Sequence, residues 1–166
     1  VQAALLFQED LRNPDSKDLI DPGVDTLDPT RGGLMDTQYA VVNLSGPLDG
    51  TLFYDLYAIL NTGRTLSFVE DDDSATGEVY EYKPILAGLF GLRLDYFMPE
   101  FLGSRASLYG RLGTGDGDYG SYTEGNTKGK ATQFTPITAS PVGEVFGIEA
   151  GNSGHIGVSY SVRPFS

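Results

Sequence analysis

The 166 residues make one domain long enough to bury a core, and 22 Gly, 10 Tyr and 9 Phe with no Trp suit strands and turns better than helices. The absence of cysteine excludes disulfides and thiolate metal sites. A net charge of −12, with no basic patch to offset it, argues against nucleic acid and anionic lipid headgroups as electrostatic partners.

The chain starts at Val1 without an initiator Met or a signal segment, so it reads as a mature piece or an internal fragment. It opens on a period-two alternation over residues 1–11, with Val1, Ala3, Leu5 and Phe7 against Gln2, Gln8 and Asp10. A long loop follows over 13–36, where Pro14, Pro22, Pro29, Gly32 and Gly33 interrupt a series of aspartates that can hold neither a ladder nor a helix. Strands are expected over 37–44 and 51–60, joined by a tight turn at 45–50, and the second of them continues through Leu66 and Phe68. Beyond an acidic tip at 70–77, the strand from Val79 carries Leu86, Phe90, Leu92 and Leu94 on one parity and Arg93 and Asp95 on the other. After a turn at 99–104 the alternation resumes, with Leu108 and Leu112 against Arg105, Tyr109 and Arg111. A second long loop covers 113–130. The stretch 131–149, broken by Pro136 and Pro141, is expected to supply one return strand. A short turn at 150–154 then leads to a final strand, with Val158 and Tyr160 opposite His155 and Arg163.

This pattern predicts an all-β fold: an antiparallel up-and-down meander of seven or eight strands in one domain over 1–166, with long acidic loops at one end and short turns at the other. The longest apolar run, Ile85 to Leu92, is far below the ~20 residues of a membrane-spanning helix, so a membrane role requires strands. In a transmembrane barrel the apolar parity meets lipid and the charged parity meets water. Asp55, Arg93, Asp95, Arg105, Arg111 and Arg163 are then the lumen-facing candidates. Counting seven strands leaves the sheet open and ends the chain among the long loops.

Several phrases carry a family likeness: Asp36-Thr37-Gln38-Tyr39 through Leu44-Ser45-Gly46-Pro47-Leu48, Leu52-Phe53-Tyr54-Asp55, Asn61-Thr62-Gly63-Arg64, residues 125–132, and the strand ending at Phe165. Together they resemble bacterial outer-membrane porin-like barrels of the alginate-export type. The resemblance implies an outer-membrane channel that passes small polar or charged solutes by diffusion, with membrane lipid as partner, no catalysis and no cofactor. Members of that class have on the order of sixteen or more strands, so a fragment of a longer barrel is expected.

Other chemistry is weaker. Gly115 to Gly120 forms a G-x-G-x-x-G string, but no helical period follows it, and Asp116 and Asp118 would repel a pyrophosphate. Asp116, Asp118 and Glu124, or Glu70 to Asp73, offer hard ligands for Ca²⁺ without the spacing of an EF-hand. His155 and Ser159 share a strand face at about 13–14 Å, too far for base activation, and there is no nucleophile elbow. The alternative to the channel is a soluble or secreted antiparallel barrel or sandwich that binds a ligand or calcium through its acidic loops.

Overall fold

The computed structural model describes residues 1–9, 11, 23, 36–70, 73, 75, 78–117, 130–136 and 151–162, with the backbone alone for 68–70 and 78. Among these residues six strands form one antiparallel sheet: β1 (Gln2–Gln8), β2 (Asp36–Pro47), β3 (Leu52–Glu70), β4 (Glu78–Met98), β5 (Ser104–Gly113) and β6 (Ser153–Ser161). Spatial order follows sequence order, β1-β2-β3-β4-β5-β6, so the fold is an all-β up-and-down meander. β1 and β6 are its two edges and do not pair with each other, which leaves the sheet open rather than closed into a barrel.

Turn chemistry sets the register. At residues 48–51 the Asp49 carboxylate accepts from the backbone N–H groups of Thr51 (2.6 Å) and Leu52 (2.7 Å), closing the β2–β3 hairpin from its side chain. The β4–β5 turn passes through Leu102 and Gly103 at φ 52° and 53°, the left-handed region that glycine enters without a Cβ penalty. Gly63 has φ 137° and lies so close to the Asp36 carbonyl that a Cβ would overlap it. β3 therefore needs glycine where β2 begins.

Because side chains alternate, the register assigns every residue to a face. Leu86, Phe90, Leu92, Leu94, Leu108, Leu112, Val158 and Tyr160 share one face, joined by Ala3, Leu5 and Phe7, Ala40, Val42 and Leu44, and Leu52 to Leu60 at alternate positions. The apolar face is exposed: Leu5 is 68 % accessible, and Ile156 and Val158 are each 77 %. The opposite face is more sheltered and holds what core there is. Tyr39, Ile85, Ala87 and Leu89 are buried there against Ala131 and Phe134, with Val41, Tyr57 and Ile59 packed around them.

That small core exists because β4 has 21 residues and β5 only 10, so the upper edge of β4 is left open beyond Leu89. Residues 130–136 fill the opening: Leu86 donates its N–H to the Ala131 carbonyl (2.9 Å) and Ala131 donates to that of Pro84 (2.9 Å). Thr114 ties the pieces together, since its hydroxyl accepts from the Gly88 N–H (2.9 Å) and donates to the Thr132 carbonyl (2.7 Å). Its own carbonyl accepts from Phe134 and Asn152.

Three sequence expectations need correction. The return strand expected over 131–149 does not appear between β5 and the last strand: the described part, 131–136, makes one isolated parallel bridge at Ile85, and 137–149 lie outside the described residues. The last strand instead pairs directly with β5, Leu108 opposite Val158. Hence Ser153 stands beside Gly113 at the long-loop end, the turn expected at 150–154 belongs to one long connection, and β6 runs toward the short-turn end, not away from it. Pro136, which ends the described part, has no N–H to donate to a ladder.

Candidate functional site

One group of charged side chains lies on the sheltered face, in the half nearer the short turns. Asp55 is opposite Arg93, Asp95 opposite Ser107, and Arg105 opposite Phe97 on one side and Ser161 on the other. Five of the six lumen-facing candidates, Asp55, Arg93, Asp95, Arg105 and Arg111, therefore share a face, and Arg163 lies outside the described residues.

Asp95 is the hub of the first cluster. Its carboxylate meets the Arg93 Nε at 2.9 Å and the Arg105 Nε at 3.9 Å and accepts from the Ser107 hydroxyl. Arg105 also stands over the Phe97 ring at 5.9 Å, and Phe97 meets Phe53 edge to face. Asp55 is engaged separately: the Asn43 side-chain amide donates to it at 2.7 Å. Asp55 and Arg93, though cross-strand neighbours, form no ion pair, so the charges make local clusters rather than one continuous ladder.

Two residues further up the strands, a second row runs across the sheet through Gln2, Asn43, Tyr57, Gly91, Arg111 and His155. It contains no carboxylate. Gly91 lets it form, because the Tyr57 ring lies across β4 where a Cβ on residue 91 would overlap it, and the phenol thereby reaches the Arg111 guanidinium. Tyr109 covers Gly157 in the same way on β6. Side chains from all six strands, from Gln2 at one edge to His155 and Ser159 at the other, line a single hollow of about 670 Å³.

The apolar face is framed at both ends. Toward the short turns it carries Tyr96 and Tyr160, level with each other and with Leu52, and Tyr54 one outward position above them. Toward the long loops the first outward charges are Arg64 and Asp36, paired at 2.7 Å, with Arg64 also over the Tyr82 ring at 5.9 Å. The apolar stretch is staggered from strand to strand. Through the register Leu5, mid-way along the stretch of β1, is level with Gly88 of β4, whereas Val158, mid-way along that of β6, is level with Leu94.

Of the sites weighed for other chemistry, only parts lie among the described residues. The Asp116 carboxylate accepts the Thr132 N–H at 2.8 Å, which gives it a structural partner, while Asp118 and Glu124 lie outside the described residues, as do Asp71 and Asp72. Among the described residues no group of three or more His, Asp or Glu side chains could hold a metal ion. His155 and Ser159 line the same hollow but face Arg111 and Ser107 across the ladder. What sequence reasoning missed is the apolar half of the sheltered face. Comparison with protein-family models, curated proteins and solved structures finds no match to the chain.

Proposed function

We propose that this sheet is part of the wall of a bacterial outer-membrane, porin-like β-barrel, through whose hydrated interior small polar or charged solutes diffuse without chemistry or cofactor. The observation that carries the reading is the framed and staggered apolar face. A stagger of six residues, about 20 Å of strand, over five strand spacings of about 4.8 Å corresponds to a tilt of about 40°. Barrel strands in membranes tilt by roughly 35–45°. From Leu86 to Tyr96 the apolar stretch of β4 is about 34 Å along the strand, hence about 26 Å along the normal of such a barrel, against an apolar band of about 25 Å. Tyrosines at the lower rim and the Arg64–Tyr82 pair at the upper one suit the two interfaces, where amphipathic rings settle.

The reading also accounts for charge on the sheltered side. Arg93 and Arg105, half-exposed on that side, meet water at little cost, and no lipid-facing position of the band carries a charge. It requires the free edges of β1 and β6 to be paired by further strands, because hydrocarbon leaves no partner for an unpaired backbone group. The test is partition followed by conductance. The folded protein should float with phospholipid vesicles and, once those edges are paired, pass salt currents in a planar bilayer that Arg111→Leu alters. A monodisperse, detergent-free monomer with a cooperative melt would overturn the proposal in favour of a soluble ligand-binding sheet.

A further inference from the structure

Arg111 differs from the other charged groups on its face. Arg93 and Arg105 share Asp95, and Asp55 is held by Asn43, but the Arg111 Nε and Nη2 are sheltered from solvent and have no hydrogen-bond partner. These two atoms form one edge of the guanidinium, the side-on fork that receives two oxygens of a single anion in parallel. Directly across the ladder, the His155 Nδ1 is likewise sheltered and unpartnered. From the other side the Tyr57 phenol reaches Arg111 over Gly91. Sheltered polar atoms without partners are unfavourable, and three elements bring them together at the wall of one hollow.

We infer that Arg111, with Tyr57 and His155, forms a binding site for a two-oxygen anion, the carboxylate or phosphate group of a small solute. The anion lies on the Nε–Nη2 edge of Arg111, and Tyr57 and His155 close the site from the neighbouring strands. No carboxylate of the row competes for the fork, and the hollow admits a solute of a few sugar or amino-acid units. In naming a solute class the inference rests on the channel reading, but its test does not depend on conductance.

The chain has one histidine, so His155 is an unambiguous reporter. Its imidazole resonances in the folded protein are followed by NMR during titration with sodium acetate, sodium phosphate or sodium chloride at matched pH and ionic strength. Acetate or phosphate should shift them saturably, on the order of millimolar, while chloride gives only a small linear drift. A carboxylate-selective site responds to acetate first, a phosphate-selective site to phosphate. Arg111→Gln should weaken binding at least about tenfold, Tyr57→Phe less so, and Arg105→Gln should leave it unchanged, each in protein that keeps its strand signature. Equal responses to all three salts, or saturable binding that survives Arg111→Gln, would overturn the site. Loss of vesicle association with the titration intact would overturn only the channel.

Discussion

Placing an arginine at successive outward positions of β4 tests the lipid-facing assignment more sharply than any single substitution. Leu92 is six residues from Leu86 at the upper limit of the apolar band and four from Tyr96 at the lower, so its side chain is near mid-depth. If the band meets hydrocarbon, Leu92→Arg should cost ~2–4 kcal/mol of folding free energy in lipid, Phe90→Arg the same, and Tyr96→Arg only ~0–1 kcal/mol, because the penalty for a charge falls toward the interface. Were the face in water, Leu92, already 38 % exposed, would lose partial burial only, and the same ~1 kcal/mol would apply along the whole strand. The assay is reversible denaturant unfolding in phospholipid vesicles for arginine variants at residues 86, 90, 92, 94 and 96. A peaked profile is expected. A flat profile, or a peak at either end, would refute the band and the tilt derived from it.

Further outcomes follow from the packing. Gly91→Ala should cost ~1–3 kcal/mol by forcing the Tyr57 ring off β4, and Tyr57→Ala in the same chain should relieve much of it in a double-mutant cycle. Phe134→Ala removes the ring that packs edge to face on Tyr39; hydrogen exchange should rise at Leu86 and Ala131, whose ladder the ring covers, while β5 and β6 stay protected. The Asp49 pKa is lowered by the hydrogen bonds it accepts from Thr51 and Leu52. Its stabilisation of the β2–β3 turn is therefore present above the ordinary carboxylate pKa and lost as pH falls through the depressed value in the folded state. Asp49→Ala should flatten that acid-side dependence in unfolding curves taken from pH 5 to 2.

Strand identity was legible because a period of two is hard to disguise: Leu86 to Tyr96 and Ala106 to Leu112 fall into two parities that the ladder turns into two faces. Pairing order was legible only where turns are short. The long β5–β6 connection hides its own topology, since nothing local in residues 114–152 says whether the chain returns through the sheet or folds back on it. The core was also missed, though it had a signal. Ile85 to Leu92 is apolar on both parities, which marks a strand covered on both faces, and the run coincides with the segment of β4 that Ala131 and Phe134 cover. The second half of the candidate site was illegible for another reason. That Arg111 lacks a carboxylate while Arg93 shares one depends on cross-strand neighbours, which no spacing along a single strand encodes.

Net charge is a poor guide to what the hollow attracts. The −12 of the whole chain opposes anions at long range, and the acidic tip at 70–77 lies at the end of the same β3 strand that carries Tyr57. Yet Tyr57, level with Arg111, is thirteen residues from Glu70, which is about 44 Å of extended chain. At physiological ionic strength exposed charges are screened over about 8 Å, so the tip contributes almost nothing at Arg111. The groups on the polar face decide instead. Asp95 is shared by two arginines, Asp55 is turned toward Asn43, and Arg111 is left as the positive group without a counter-ion. An acidic protein can thus present an electropositive site, because on the polar face Asp55 and Asp95 are already engaged and the ladder sets Arg111 among neighbours that carry no carboxylate.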